Sequence, residues 1–161
     1  MSIDRRYWDS DCFLGWLLAE PDKMDPCQEV LAAAEDGKLL IVTSALTIAE
    51  VLALRGRLRI APADRIRVDS FFRNDYVVIR NITRRISEAA RELVWDHGVK
   101  PKDALHVATA LDAGLQLLNT FDRDLIKKSG RIGMPALAIS KPFWKEPKLP
   151  MALPHDLAKK K

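Results

Sequence analysis

The chain has 161 residues, of which 48% are hydrophobic and 30% charged, a balance typical of one folded domain and unlike a disordered chain. The 26 Lys and Arg against 22 Asp and Glu give a formal charge of +4, which is compatible with a polyanionic partner without requiring one. No apolar run approaches the ~20 residues that span a bilayer, and the charged N-terminus lacks a signal-peptide core. Cys12 and Cys27 have no CxxC spacing, which disfavours a disulfide framework or zinc site. We therefore expect a cytoplasmic protein with no membrane association.

Short apolar segments alternate with helical patterns along the chain, and this alternation predicts βαβ units with a mostly parallel sheet. One helical pattern, SALTIAEVLALRG, has Ser44 as its N-cap and Gly56 as its predicted end. Tryptophans at positions 8, 16 and 95 fall at core-like positions of these elements. We predict an α/β domain over residues 1–141, with a five-stranded sheet flanked by helices, and a Pro- and Lys-rich tail over 142–161. The predicted strands are 5–8, 39–43, 76–80, 115–120 and 136–140.

Acidic residues recur just after the predicted strands or early in the helices that follow them. Ligands of open α/β sheets bind at the carboxyl ends of the strands, so we expect four separate chain segments to bring acids to one edge of the sheet. Glu50 is the most informative, because it interrupts the apolar run ALTIAEVLAL. The full set is Asp9, Asp11, Glu50, Asp103, Asp122 and Asp124.

Converging carboxylates raise one another's pKa, and a divalent cation relieves this repulsion. Carboxylate oxygens with water suit Mg²⁺ or Mn²⁺, and such a cation stabilises charge on a phosphoryl oxygen. No serine–histidine–aspartate order or catalytic cysteine setting competes. The residues therefore suit metal-assisted attack of water on a phosphodiester.

Each of these residues also has a structural interpretation. An acid in a first helical turn commonly complements the helix dipole, as Asp103 would do alone. Ser44 is at least as well explained by helix capping as by orienting a ligand, and Thr120 has a similar position at a strand end. His106 shares a helical face with Asp103, and packing beside the pocket is a simpler role for it than contact with substrate.

Four segments, YWDSDCFLGWLLAE, TSALTIAEVL, KPKDALHVATAL and LLNTFDRDL, resemble in order and spacing the motif blocks of the PIN-domain nucleases. They look most like the VapC-type toxins of prokaryotic toxin–antitoxin systems, over residues 5–140. The resemblance implies a Mg²⁺- or Mn²⁺-dependent endoribonuclease that forms a homodimer and is inhibited by a small antitoxin. It also implies that the catalytic, metal-binding acids are Asp9, Glu50, Asp103 and Asp122.

Asp11 departs from the family pattern, which often has asparagine or serine there, so Asp11 is a candidate for contact with the metal or its water shell. Asp124 is interpreted as a supporting or capping acid. The arginines of RGRLRI, at positions Arg55, Arg57 and Arg59, are candidates for contact with RNA or a partner, because the segment is predicted to end the helix that carries Glu50.

Three other functions stay open at this point. One is a PIN-fold protein of RNA processing outside toxin–antitoxin systems, and another is a PIN fold that binds RNA without cutting it. The third is a receiver- or phosphatase-like α/β protein, which also gathers aspartates at strand ends but gives Glu50 no role.

Overall fold

The computed structural model describes residues 2–51, 53–54, 57–58 and 60–147, and of residues 53–54 and 57–58 it describes the backbone alone. Among these residues, seven strands and seven α-helices follow one another. The strands are β1 (Asp4–Trp8), β2 (Leu39–Ser44), β3 (Ala53–Leu54), β4 (Arg57–Leu58), β5 (Val77–Arg80), β6 (Leu117–Asn119) and β7 (Ala138–Ser140). The helices are α1 (Ser10–Leu17), α2 (Met24–Glu35), α3 (Ala45–Glu50), α4 (Arg65–Phe71), α5 (Arg84–His97), α6 (Pro101–Asp112) and α7 (Arg123–Ile126).

Five strands form one sheet in the order β5-β2-β1-β6-β7, and every pairing in it is parallel. β1 lies at the centre, where Tyr7 pairs with Val42 of β2 and with Leu118 of β6. After β1 the chain adds β2 and β5 to one side of it, and later adds β6 and β7 to the other side. The carboxyl ends of β1 and β6 therefore flank the crevice where such sheets bind ligands. The α/β prediction with a five-stranded parallel sheet is confirmed.

The two faces of the sheet are covered by different helices, as the alternation of side chains in β1 requires. Tyr7 is fully buried in a core with residues of α5 and α6. Trp8 points the other way and is fully buried among residues of α1, α2 and α4. Burial on both faces explains why the strand segments are apolar without strict alternation.

The helix predicted from Ser44 to Gly56 is shorter than expected. It ends at Glu50, and Ala53 and Leu54 pair with Leu58 and Arg57 in a small antiparallel sheet. The segment has good helix formers, but the hydrogen bonds of the antiparallel pair replace those of a continuing helix. Glu50 is thus the last residue of α3 and does not lie in the middle of a long helix.

The core position expected for Trp95 is wrong, since its side chain is 78% exposed. The buried stripe of α5 runs through Ile86, Ala90 and Leu93, at the spacing of one helix face. Trp95 lies two residues after Leu93 and therefore falls outside that stripe. The side chain of Trp95, together with residues of α6, borders an apolar groove of about 610 Å³.

The segment after β7 packs against the sheet as far as the structure describes it. The guanidinium of Arg6, which is buried, donates a 2.6 Å hydrogen bond to the carbonyl of Phe143. It also lies 5.3 Å from the ring centre of Trp144, which packs on the core around Trp8. The remainder of the tail, from residue 148, lies outside the described residues, so the predicted domain boundary at 141 stays a prediction.

None of the helices in the described part of the chain is long and apolar enough to cross a membrane.

Candidate functional site

Asp9 joins the end of β1 to the start of α1. Its Oδ1 accepts a 3.2 Å hydrogen bond from the amide of Cys12, so it is the N-cap of α1. Its Oδ2 accepts a 2.5 Å hydrogen bond from the hydroxyl of Thr120, which follows the neighbouring strand β6. The carboxylate is therefore fixed by the first turn of α1 and by the residue after β6, and Asp9 is only 5% exposed.

Asp122 follows β6 in the corresponding position. It is the N-cap of α7, accepting a 2.8 Å hydrogen bond from the amide of Leu125. Its own amide donates to the hydroxyl of Thr120 over 3.1 Å, so Thr120 links Asp9 and Asp122. Asp103, in the first turn of α6, is half-buried and is close enough to Asp122 for its pKa to respond to that charge.

Glu50 comes from the helix after β2 and is held by one of its two oxygens. Its Oε2 accepts a 2.6 Å hydrogen bond from the hydroxyl of Ser10 and lies 3.6 Å from His106 Nε2. Its Oε1 is buried and has no hydrogen-bond partner among the described residues. Burial without a partner is unfavourable for a carboxylate oxygen, which makes this atom a candidate ligand.

All four predicted catalytic acids line one cavity of about 480 Å³ at the carboxyl edge of the sheet. Asp11 and His106 line it too, as their positions in the sequence indicated. Lys100 and Lys102, at the start of α6, add positive charge to the acidic lining. The full lining is Asp9, Ser10, Asp11, Glu50, Lys100, Pro101, Lys102, Asp103, His106 and Asp122.

The environment shifts the pKa of three of these acids. Burial, aided by the charge of Asp11, raises the pKa of Asp9 to about 6. Burial and the charge of Asp122 likewise raise the pKa of Asp103 above its usual value. Burial also acts to raise the pKa of Glu50, but the nearby His106 ring and the hydrogen bond from Ser10 outweigh it and lower that pKa. Two of the acids are thus less favourable in their charged form inside the cavity than in water, mainly because they are buried.

The other predicted site residues have different positions. Ser44 is the buried N-cap of α3, accepting from the amide of Leu46 over 3.1 Å. Asp124 is exposed, lies 3.6 Å from the ammonium of Lys127 and borders a neighbouring cavity instead of the acidic one. Arg55 and Arg59 lie outside the described residues, and of Arg57 only the backbone, in β4, is described.

Sequence reasoning missed Tyr7 and Ser10 as parts of the site. Tyr7 precedes Asp9 by two positions in a buried strand, where a core role is the ordinary expectation. Its hydroxyl nevertheless lies 2.6 Å from His106 Nδ1. Ser10 had a usable signal, because it directly follows an acid at a strand end.

The donor set fits a divalent cation of the oxygen-binding kind. Glu50 Oε1 is buried without a partner among the described residues. The pKa values of Asp9 and Asp103 are raised mainly by burial and further by neighbouring acids, and a bound cation would offset both effects. Within the described part of the chain, no three acidic, histidine or cysteine side chains converge closely enough to form a complete metal cluster. Mg²⁺ is commonly bound through one or two carboxylates, with waters completing the coordination, so it does not require such a cluster.

A model of the PIN domain family matches residues 7–131, which includes the strands and helices that supply all four acids. The chain belongs to the PIN domain family. This membership decides against the receiver- or phosphatase-like alternative. No curated protein matches the chain in a sequence search.

Three solved structures share the PIN fold of this chain. The VapC20 toxin of Mycobacterium tuberculosis, described as cleaving the sarcin–ricin loop, aligns over 74% of this chain and 91% of its own, at 20% identity and a TM-score of 0.62. A toxin–antitoxin complex from Klebsiella pneumoniae covers 86% and 98%, at 21% identity and a TM-score of 0.56. VapBC2 from Rickettsia felis, bound to a promoter DNA fragment, covers 88% and 99%, at 16% identity and a TM-score of 0.58. The predicted resemblance to VapC-type PIN proteins is confirmed.

Proposed function

We propose that this PIN protein is a Mg²⁺- or Mn²⁺-dependent endoribonuclease and the toxin of a toxin–antitoxin pair. The observation that carries the proposal is the cavity in which Asp9, Glu50, Asp103 and Asp122 come together from four chain segments. An RNA substrate is supported by the similarity to the Mycobacterium toxin. Lys100 and Lys102 on the same cavity are suited to hold the phosphate backbone.

In this mechanism the four carboxylates would hold the cation, directly or through its bound waters, and the cation would supply Lewis-acid stabilisation of negative charge on the scissile phosphate. Asp9 and Asp122 are kept in place by Thr120, and Glu50 by Ser10. Lys100 and Lys102 attract and orient the RNA strand. Asp11 lies beside Asp9 and adds negative charge that strengthens cation binding.

The central test is RNA cleavage by purified variants. Asp103→Asn and Asp122→Asn should each reduce metal-dependent cleavage by about two orders of magnitude or more, because each removes a charge that holds the cation. Asp75→Asn is the matched control, since Asp75 is exposed and away from the cavity lining. Full activity in both Asp103→Asn and Asp122→Asn would contradict the mechanism.

The toxin role has its own test. We propose a small antitoxin partner, supported by the complexes from Klebsiella and Rickettsia among the structural neighbours. Expression of the wild-type chain should arrest growth, and co-expression of a small protein encoded beside its gene should restore it. Cleavage of RNA without growth arrest would favour the RNA-processing alternative, and RNA binding without cleavage would favour the non-catalytic one.

We further propose a cytoplasmic location and a homodimer. The cytoplasm is supported by Cys12 and Cys27, which are both buried and free of disulfides. The homodimer is supported by the exposed apolar groove beside Trp95, which shares Pro101 with the acidic cavity.

A further inference from the structure

A buried chain of polar groups runs from the core to Glu50. The hydroxyl of Tyr7 lies 2.6 Å from His106 Nδ1. On the other side of the ring, His106 Nε2 lies 3.4 Å from the hydroxyl of Ser10. That hydroxyl donates a 2.6 Å hydrogen bond to Glu50 Oε2.

When the imidazole is neutral, these hydrogen bonds have only one direction in which every contact is a donor facing an acceptor. The phenol hydroxyl of Tyr7 is fully buried and lies 2.6 Å from His106 Nδ1, so it donates its proton to that nitrogen. A neutral imidazole that accepts at Nδ1 carries its proton on Nε2. This N–H faces the oxygen of Ser10, whose own proton is used by Glu50.

These hydrogen bonds give the two oxygens of Glu50 different roles. Ser10 and His106 both approach Oε2, whereas Oε1 is buried and without a partner in the described residues. A carboxylate held by one oxygen keeps a fixed orientation while the other stays available to a ligand. Outer partners that orient ligands in this way strengthen metal binding.

We infer that Tyr7, His106 and Ser10 are positioning residues that fix Glu50 through Oε2 and leave Oε1 free for a divalent cation. The inference deepens the proposed function and depends on it. It assigns a role to a buried tyrosine and a buried histidine that have no part in binding the cation directly.

The first test is the tautomer of His106 in the metal-free protein, measured by long-range ¹H–¹⁵N NMR. The chain has three histidines, and the signal of His106 is assigned by its loss in His106→Gln. We expect an unprotonated Nδ1 and a protonated Nε2. A proton on Nδ1 would reverse the first hydrogen bond and overturn the inference.

The second test uses both tyrosines of the chain. Tyr7→Phe should remove the tautomer preference and weaken Mn²⁺ binding, measured by calorimetry, by about tenfold. Tyr76→Phe is the matched control, because among the described residues its hydroxyl contacts Glu35 alone, over 3.4 Å at the surface. This variant should change neither quantity. A folded Tyr7→Phe protein with unchanged tautomer and Mn²⁺ affinity would contradict the inference.

Ser10→Ala supplies a variant that leaves the tyrosine–histidine contact intact. We expect weaker Mn²⁺ binding with the His106 tautomer retained, and unchanged Mn²⁺ binding would count against the inference even if Tyr7→Phe fails to fold. These outcomes are separate from the proposed function. Wild-type protein that neither binds Mn²⁺ nor cleaves RNA would refute the function, whereas cleavage with unaffected variants would refute the positioning chain alone.

Discussion

Asp9 combines a structural role with the chemistry proposed for the cavity. It caps α1 and accepts from Thr120, yet burial and the charge of Asp11 raise its pKa to about 6. The two hydrogen bonds therefore do not fully replace the water that the carboxylate loses on folding. Without a cation, ionised Asp9 destabilises the folded protein.

This imbalance predicts a pH-dependent effect of Asp9→Asn on stability. Because the folded-state pKa lies above the ordinary value of 3.8, wild-type Asp9 loses favourable free energy as the pH rises from about 4 to about 6. Asparagine caps helices as well but does not ionise. In metal-free buffer, the variant should gain on the order of 2–3 kcal/mol over wild type between pH 4 and 7. Denaturant unfolding at both pH values measures this, and an equal difference at both would contradict it.

Which residues come together at the site was partly predictable from the sequence. Asp9 and Asp122 follow apolar strands, and strand ends of parallel sheets meet at one edge, so their proximity follows from the sequence. The hydrogen bond between Tyr7 and His106 does not, because it depends on which face of β1 meets α6 and on the rotation of that helix.

At the scale of elements, α5 and α6 leave an apolar groove of about 610 Å³ open to solvent beside Trp95. If the proposed homodimer uses this groove, Trp95→Asp should convert it to monomer, since a charge there would be buried without a partner. Ile66→Asp on α4 is the matched control, as Ile66 is 79% exposed and Trp95 78%. Sedimentation velocity measures both. A monomeric wild type would contradict the homodimer, and a dimeric Trp95→Asp would exclude this groove as its interface.

The bounds of a helix were predictable where the sequence carries clear capping signals. α5 begins at a threonine cap and ends at Gly98 in the left-handed conformation, and both signals are visible in the sequence. The end of α3 was not predictable, because the residues after Glu50 favour a helix and their pairing as β3 and β4 depends on a contact between strands.

For the whole molecule, the packing of Phe143 and Trp144 on Arg6 ties the last described segment to the first strand. Trp144→Ala should lower the stability of the full chain by about 2–3 kcal/mol, or Tm by roughly 5–10 °C, because it uncovers the buried guanidinium and part of the core around Trp8. Lys145→Ala, at an exposed neighbouring position, should change little. Equal melting temperatures for the two variants would show that the segment does not stabilise the domain.

The parallel topology also sets the earliest time during synthesis at which the complete acidic cavity can form. Thr120, which holds Asp9, follows it by 111 positions, and β6 must pair with β1 before Asp122 reaches the cavity. At about 5–20 residues per second, a ribosome needs roughly 5–20 s to make the intervening chain. Any nascent fragment that ends before β6 lacks the complete acid set, so each new molecule spends that interval without the complete cavity in which the proposed chemistry would take place.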